Sequence, residues 1–250
     1  MGAESTGPVA LRAEELTVGY GRSIVVRKAS VLIKRGEISI IVGPNGSGKS
    51  TLLKGIVGVL APTSGKVVLA RKNGEERDIT GTPPERASRL GVVYVPQLAN
   101  VFPMLTIREN LILGLRGRRH NHAAKLADVY SVFPDLKAAE RRAAHTLSGG
   151  QRMMLALGRA LMGEPEVVIV DEPSAGLSPR YREVVWGHLA RLRDTGIAML
   201  VVEQNTHAAL QLGNYGYVLV SGEVRKEGPA ASLLNDRELV ELYIGRRSRG

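Results

Sequence analysis

Between residues 43 and 51 the chain reads Gly43-Pro44-Asn45-Gly46-Ser47-Gly48-Lys49-Ser50-Thr51, which fits the pattern G-x-x-x-x-G-K-[ST]. The chemistry suited to that spacing is phosphate binding. Gly43, Gly46 and Gly48 free the backbone to turn its N–H groups inward as an anion nest where a helix begins. Lys49 then reaches the β- and γ-phosphates of a nucleotide, and the Ser50 hydroxyl is placed to ligate Mg²⁺. Such a loop needs an acidic partner for its metal. Val167-Val-Ile-Val-Asp171-Glu172 supplies one, an apolar strand that delivers two carboxylates to a sheet edge. Asp171 is expected to hold the magnesium through water and Glu172 to polarise an attacking water, because phosphoryl transfer depends on positioning and electrostatics more than on covalent help. An apolar strand ending in Asp-Glu would alone be read as a solvated strand end; the upstream loop gives it a role.

These groups must be held by a scaffold, and the hydrophobic pattern describes it. Ile38–Val42, Gly91–Val95, Val167–Val170 and Ala198–Val202 are short apolar runs of the length of strands buried on both faces. Pro179–Arg193 reads as a helix with Val184, Val185, Leu189 and Leu192 on one side. This is an α/β chain with a largely parallel sheet. Period-two patterns before residue 37 and over Lys66–Asp78 predict an antiparallel β portion near the amino terminus. Residues 98–160 show helical pattern instead, at Thr106–Leu115, Ala123–Phe133 and Ser148–Met162, which predicts an α-helical insertion. The division expected is a disordered tail at 1–10, one domain at 11–245 and a basic tail at 246–250.

A third motif narrows the reading. Leu147-Ser148-Gly149-Gly150-Gln151 precedes a long helix and lies twenty residues before Asp171, making a second small anion nest with no evident structural need. In this order and spacing it resembles the signature sequence of the ATP-binding cassette (ABC) ATPases, and the resemblance runs over about residues 11–245. It implies a P-loop NTPase core, ATP and Mg²⁺ as ligands, and a head-to-tail dimer. In that family each ATP lies between one subunit's P-loop and the other's signature, so Ser148, Gly149, Gly150 and Gln151 would act on the partner's nucleotide. The resemblance further implies that Tyr20, in Leu16-Thr-Val-Gly-Tyr20-Gly, stacks on adenine. Gln97, after Val93-Tyr-Val-Pro96, would touch the metal and link the sheet to the helical insertion.

Several stretches are similar to the hydrophobic (branched-chain) amino-acid uptake ATPases: 101–111, His145–Gln151, Leu157–Met162, Asp171–Pro179, Val201–Asn205 and the closing segment Leu239–Gly245. Urea- and short-amide-transporting relatives share most of them. The resemblance implies a second ABC ATPase subunit, identical or not, integral membrane permeases, and a periplasmic or extracellular binding protein engaged indirectly. The chain departs from the general pattern at the switch position, where Gln204 stands in place of the usual histidine; His207 lies three residues on, in an expected helix. Ser178 occupies the place of the D-loop aspartate, and Gln97 is the common residue although this branch often carries Glu. An amide cannot carry the charge of a histidine, so Gln204 predicts a slow catalytic site. Val101, Phe102, Met104 and Leu105 around Pro103 show no clear period, and the segment 97–115 is expected to receive a permease loop.

Composition bounds the alternatives. The 250 residues contain no cysteine, which excludes a disulfide scaffold, a thiolate zinc site and a cysteine nucleophile. Charged residues at 23% and hydrophobic residues at 44% are ordinary for a globular protein. No apolar run approaches the roughly 18 residues that span a bilayer, and Met1–Ala10 lacks a basic, then apolar, leader pattern. A soluble cytoplasmic chain, peripheral on the inner membrane face, is expected. The net charge of +10 invites a nucleic-acid reading, such as a chromosome-associated ABC ATPase. Against it, aromatics are only 4%, too few for a base-stacking platform, and the basic residues cluster only at Arg116–Arg119, Arg141–Arg142 and Arg246–Arg249. No long coiled coil or zinc cysteines separate the motifs, so no nucleic-acid partner is expected. A P-loop kinase would not need Leu147–Gln151.

Overall fold

The computed structural model describes residues 7–98, 100–115 and 121–236. The Arg116–Arg119 cluster, the closing segment Leu239–Gly245 and the basic tail at 246–250 lie outside the described residues, as do residues 1–6 of the expected tail.

A six-stranded sheet forms the centre, built from β3 (Ile38–Val42), β6 (Val92–Val95), β7 (Val167–Asp171), β8 (Ala198–Glu203), β9 (Tyr215–Val220) and β10 (Glu223–Pro229). Its order is β10-β9-β3-β8-β7-β6. All neighbours are parallel except the hairpin of β9 and β10. Every residue of β3, β7 and β8 is buried, which explains their unbroken apolar runs: each strand feeds two cores. Ile41, Ile169 and Leu200 face one core, with α1 (Lys49–Ile56) and a second sheet. Ile40, Val170 and Val201 face the other, which holds most of the helices.

The second sheet is antiparallel, ordered β2-β1-β4-β5, from β1 (Val9–Tyr20), β2 (Ser23–Lys34), β4 (Ser64–Ala70) and β5 (Glu76–Asp78). It occupies the two regions of period-two pattern. The tail assigned to 1–10 runs too far: Val9 pairs with Lys34 and Ala10 is fully buried, so the sheet claims both.

Between β6 and β7 lie α3 (Ile107–Ile112), α4 (His122–Val132), α5 (Pro134–Ala138) and α6 (Gly149–Leu161), after the short α2 (Pro84–Arg89) that precedes β6. The sequence supplies their starts. Thr106 and Glu109 form a capping box on α3, and Asn121 caps α4. α3 is shorter than the expected Thr106–Leu115, because Gly114 turns the chain hard against Arg159, whose carbonyl O would lie 2.1 Å from an added Cβ. α5 went unpredicted because Pro134 reads as a break, whereas it occupies a first-turn position where no N–H is needed. Beyond the sheet's central strands, α7 (Pro179–Asp194) follows β7, α8 (Thr206–Leu212) follows β8, and α9 (Ala230–Leu234) follows β10.

Register fixes where the chemistry falls. Val42 pairs with Glu203, and Asp171 with Val202. The chain therefore leaves β3, β7 and β8 at one level, and the segments beginning at Gly43, Glu172 and Gln204 lie side by side at the carboxyl edge of the sheet. That edge is where open α/β sheets bind ligands.

Candidate functional site

The phosphate loop is closed onto itself. An added Cβ at Gly43 would lie 2.1 Å from the Leu219 carbonyl O and 2.7 Å from Ser47 Oγ, so no larger residue fits there. Gly48 takes a left-handed φ of 100° as the residue before α1, and no side chain caps that helix. Its first-turn N–H groups are thus left for an anion. Pro44 is half-buried, Asn45 and Gly46 are exposed at the tip, and Ser47 and Thr51 are buried on either side of the half-buried Ser50. The Gly222 N–H donates to Ser47 O at 2.9 Å, tying the loop to the β9–β10 turn. Lys49 is buried, its Nζ donating to Gly43 O at 2.7 Å and Pro44 O at 3.1 Å. Burial lowers the Lys49 pKa, opposed by the charges of Glu172, Asp171 and Glu203. A cation held in a low-dielectric cradle by distant carboxylates is prepared to receive a phosphate.

Asp171 ends β7 almost wholly buried. Its Oδ2 accepts from the Tyr94 hydroxyl at 3.2 Å, while Oδ1 is buried with no partner. Burial raises the Asp171 pKa; the Tyr94 bond lowers it and Glu172 adds to the rise. A buried carboxylate oxygen without a donor is costly unless something cationic reaches it, and the buried Ser47 Oγ is likewise without a partner. Among the described residues no three His, Cys, Asp or Glu side chains are grouped to hold a metal. The donor set of Ser50 and Asp171 therefore suits a hard cation that brings most of its ligands as water and phosphate oxygen, as Mg²⁺ does.

Glu172 sits at φ 45°, a left-handed backbone for a residue with a Cβ, at a cost of about 1–3 kcal/mol. Its N–H donates to Val202 O at 2.9 Å, and the side chain is 7% exposed. The exposed Gln204 donates its Nε2 to both carboxylate oxygens, at 2.7 and 2.8 Å. The switch-position amide therefore grips Glu172, while His207 lies exposed on α8. Behind the pair, Glu203 is 2% exposed and accepts N–H groups from Ser174 and Gln204.

The other predicted residues lie around this edge. Tyr20 ends β1, 49% exposed, with Lys54 Nζ 3.5 Å from its hydroxyl. Gln97 is exposed two residues past β6. Ser148 and Gln151 do have a structural task, contrary to the expectation: they form a capping box on α6, with the Gln151 N–H donating to Ser148 Oγ at 3.3 Å and the Ser148 N–H to Gln151 Oε1 at 3.0 Å. Ser148 and Gly149 are exposed, whereas Gly150 is buried with the Tyr181 ring 2.8 Å from where a Cβ would stand. Ser178 precedes α7 and makes no side-chain cap.

Beside the site, a groove of about 770 Å³ runs between α2 and the helical region along β6, lined by Arg89, Tyr94, Phe102, Leu113, Ala156 and Arg159. Phe102 is 50% and Met104 81% exposed, while Val101 and Leu105 are half-buried. The Arg159 guanidinium lies 5.3 Å from the centre of the Phe102 ring, and burial lowers its pKa. Tyr94 and Glu203 carry contacts at the site that the sequence did not single out. Their available signal was a polar group inside an otherwise apolar strand.

The ABC transporter family profile matches residues 26–175. A probable branched-chain amino acid transport ATP-binding protein, LivF of Archaeoglobus fulgidus, is 40% identical over 94% of this chain and 98% of its own. The high-affinity branched-chain amino acid transport ATP-binding protein BraG of Pseudomonas aeruginosa is 35% identical over 94% of this chain and 99% of its own. The lipopolysaccharide export system ATP-binding protein LptB of Acidithiobacillus ferridurans is 30% identical, over 94% and 96%. Among solved structures, the ADP conformation of MJ1267, an ATP-binding cassette of an ABC transporter, superposes with a TM-score of 0.84 at 29% identity, covering 95% of this chain and 99% of that one. With the phosphate loop, paired carboxylates and helix-capping signature assembled on this scaffold, the chain belongs to the ABC transporter family and is one of its ATP-hydrolysing cassettes.

Proposed function

We propose that this cassette powers the uptake of branched-chain and other hydrophobic amino acids through separate permease subunits, fed by an external binding protein. The observation that carries the ATP-hydrolysing part of the reading is the Glu172–Gln204 pair beside an intact phosphate loop. Similarity to amino-acid transport subunits at 35–40% identity, higher than to the lipopolysaccharide exporter at 30%, supports the solute class. Among the described residues no helix is long and apolar enough to cross a membrane. Attachment would come from the permeases, with the +10 charge favouring an anionic cytoplasmic leaflet.

The residues divide the work as follows. Tyr20 stacks on adenine, and the N–H groups of residues 43–51 with Lys49 receive the phosphates. Ser50, Asp171 and Gln97 would hold Mg²⁺, which would supply positive charge to the phosphates of the nucleotide. Glu172 orients a water and accepts its proton as the water oxygen bonds to the γ-phosphorus. The bond to the β–γ bridging oxygen then breaks, and ADP leaves with that electron pair. Gln204 keeps both oxygens of Glu172 from rotating away. Ser148–Gln151 of a second subunit close over the γ-phosphate: the cap that orders α6 also leaves Ser148 and Gly149 outward-facing.

Gln204 donates only neutral hydrogen bonds, and a charged donor bonds about twice as strongly. Gln204→His, assayed in the native dimer, is therefore expected to raise turnover on the order of tenfold, about 1.4 kcal/mol. Unchanged turnover with unchanged Mg-ATP binding would mean the amide is already sufficient.

The groove along β6 is where a permease loop docks. Reconstituted with its permeases in vesicles, the protein should drive Mg-ATP-dependent accumulation of leucine, isoleucine or valine, and accumulation of urea alone would overturn the solute assignment. Phe102→Asp is expected to cut that uptake about tenfold or more, since a buried interface aromatic is worth that much. The isolated subunit should still melt within about 4 °C of wild type, the shift that roughly 1 kcal/mol produces at this size. A larger fall in Tm would make Phe102 a packing residue instead.

A further inference from the structure

We propose that Glu203 is a positioning residue for hydrolysis: its buried carboxylate clasps the segment after Glu172 to the segment carrying Gln204 and so fixes the geometry of that pair. The proposal rests on the reading of Glu172 and Gln204 as the hydrolytic pair.

Glu203 ends β8, the last residue before the chain leaves the sheet. It is 2% exposed, and no cation pairs with it among its described hydrogen bonds. A leucine or methionine would fill such a place without the cost of desolvating a charge, so the carboxylate needs a reason. The donors supply it. Oε1 accepts the Ser174 N–H at 2.9 Å, from the turn that follows β7, and Oε2 accepts the Gln204 N–H at 3.1 Å, from the turn that follows β8. The Asn205 N–H adds a third donor. Burial raises the Glu203 pKa, while a hydrogen bond from the Ser174 side chain and these N–H groups lower it, and a carboxylate gathering several donors is well held in its charged form.

The clasp crosses the contact in front of it. Gln204, following β8, reaches forward to Glu172, following β7; Glu203 reaches from the same β8 end to Ser174, two residues past Glu172. Two links between the same two segments, one by side chain and one through backbone N–H, leave little freedom to either. This suits Glu172, whose φ of 45° persists only where its surroundings determine it. Both Glu203 oxygens face backbone donors, so the residue acts through the pair and not on the nucleotide.

Glu203→Gln keeps the shape but places an NH₂ group against one of the N–H donors, breaking one link. In the native dimer, kcat for Mg-ATP is expected to fall about tenfold or more, while binding of a fluorescent ATP analogue stays within about twofold. Because Glu203 works through Gln204, the double variant Glu203→Gln/Gln204→Ala should be no slower than the slower single variant, instead of showing the product of both losses. Should Glu203→Gln not fold, Glu203→Asp carries the same test, since the shorter carboxylate cannot span both segments. Wild-type kcat in a folded variant, loss of nucleotide binding in step with kcat, or multiplicative losses in the double variant would each overturn the clasp. Glu172→Gln is measured alongside. If it hydrolyses like wild type, the reading of the pair has failed; if it stalls while Glu203→Gln does not, only the clasp has.

Discussion

Glu172→Gln is expected to bind Mg-ATP as tightly as wild type and to stall hydrolysis by about 10²–10⁴-fold, the range that a positioned general base contributes. The carboxylate at this position does two things that an amide cannot. It accepts the proton leaving the attacking water, and it accepts both hydrogen bonds of the Gln204 Nε2 group. A glutamine at 172 would present one oxygen and one NH₂, so one of those bonds would become a donor-to-donor contact and the side chain would turn. The phosphate loop is untouched by this change: Lys49 stays on the Gly43 and Pro44 carbonyls, and the Gly222–Ser47 tie remains. The loss should therefore appear in turnover and not in affinity. With hydrolysis blocked, ATP held between one P-loop and the opposite Ser148–Gln151 should trap a dimer. Size-exclusion chromatography of the variant with its native partner and excess Mg-ATP tests this. A monomer under those conditions would remove the sandwich arrangement, and residual turnover within tenfold of wild type would remove Glu172 as the base.

The parts of this site that were legible in the sequence are those set by short-range rules. Gly43 and Gly48 announce a loop that only glycine can make, and the fully buried runs of β3 and β7 announce the strands that carry the loop and the acids. The helical pattern was legible too, but the caps that start the helices, Thr106, Asn121 and Ser148, emerged only in the structure. The hairpin of β9 and β10 passed unnoticed, yet its turn braces the loop through Gly222 and its Tyr217 hydroxyl bonds the backbone of Leu32 in the second sheet. Neither contact has a sequence pattern, since both depend on which strands lie together. The same holds for Tyr94 on Asp171, 77 positions apart in the chain. It holds too for the grip of Gln204 on Glu172, which a comparison of motifs reads only as a missing histidine. Sequence spacing reveals which groups are available, whereas the register of β3, β7 and β8 decides which of them touch.

Lys49→Ala is expected to abolish useful ATP hydrolysis and to weaken Mg-ATP binding by roughly 10- to 150-fold, the equivalent of the 1.5–3 kcal/mol carried by a hydrogen bond to a charged group. The resting structure shows why the cost falls on the nucleotide more than on the fold. Lys49 is buried, and the described hydrogen bonds of its ammonium run to two carbonyls of its own loop, Gly43 O and Pro44 O. The remaining supports of that loop are backbone: α1 is closed by the Leu52 N–H on Gly48 O at 2.8 Å, and Ser47 keeps its bond from Gly222. Truncation thus leaves two carbonyls short of a donor that water can replace from the open tip at Asn45 and Gly46. A fall in Tm of about 2–8 °C is the corresponding expectation for 1–2 kcal/mol at this chain length. The consequence in the site is greater. Without the ammonium, the cradle retains Asp171, Glu172 and Glu203 and loses the cation whose pKa their charges support. The three carboxylates then face the triphosphate with only its Mg²⁺ to offset them, so affinity and turnover should fall together, unlike the Glu172→Gln pattern. Titration with a fluorescent ATP analogue and circular-dichroism melting of the same preparation separate the two effects. Wild-type affinity in a folded Lys49→Ala protein would mean that the backbone nest alone holds the phosphates, and the lysine would then lose its place in the site.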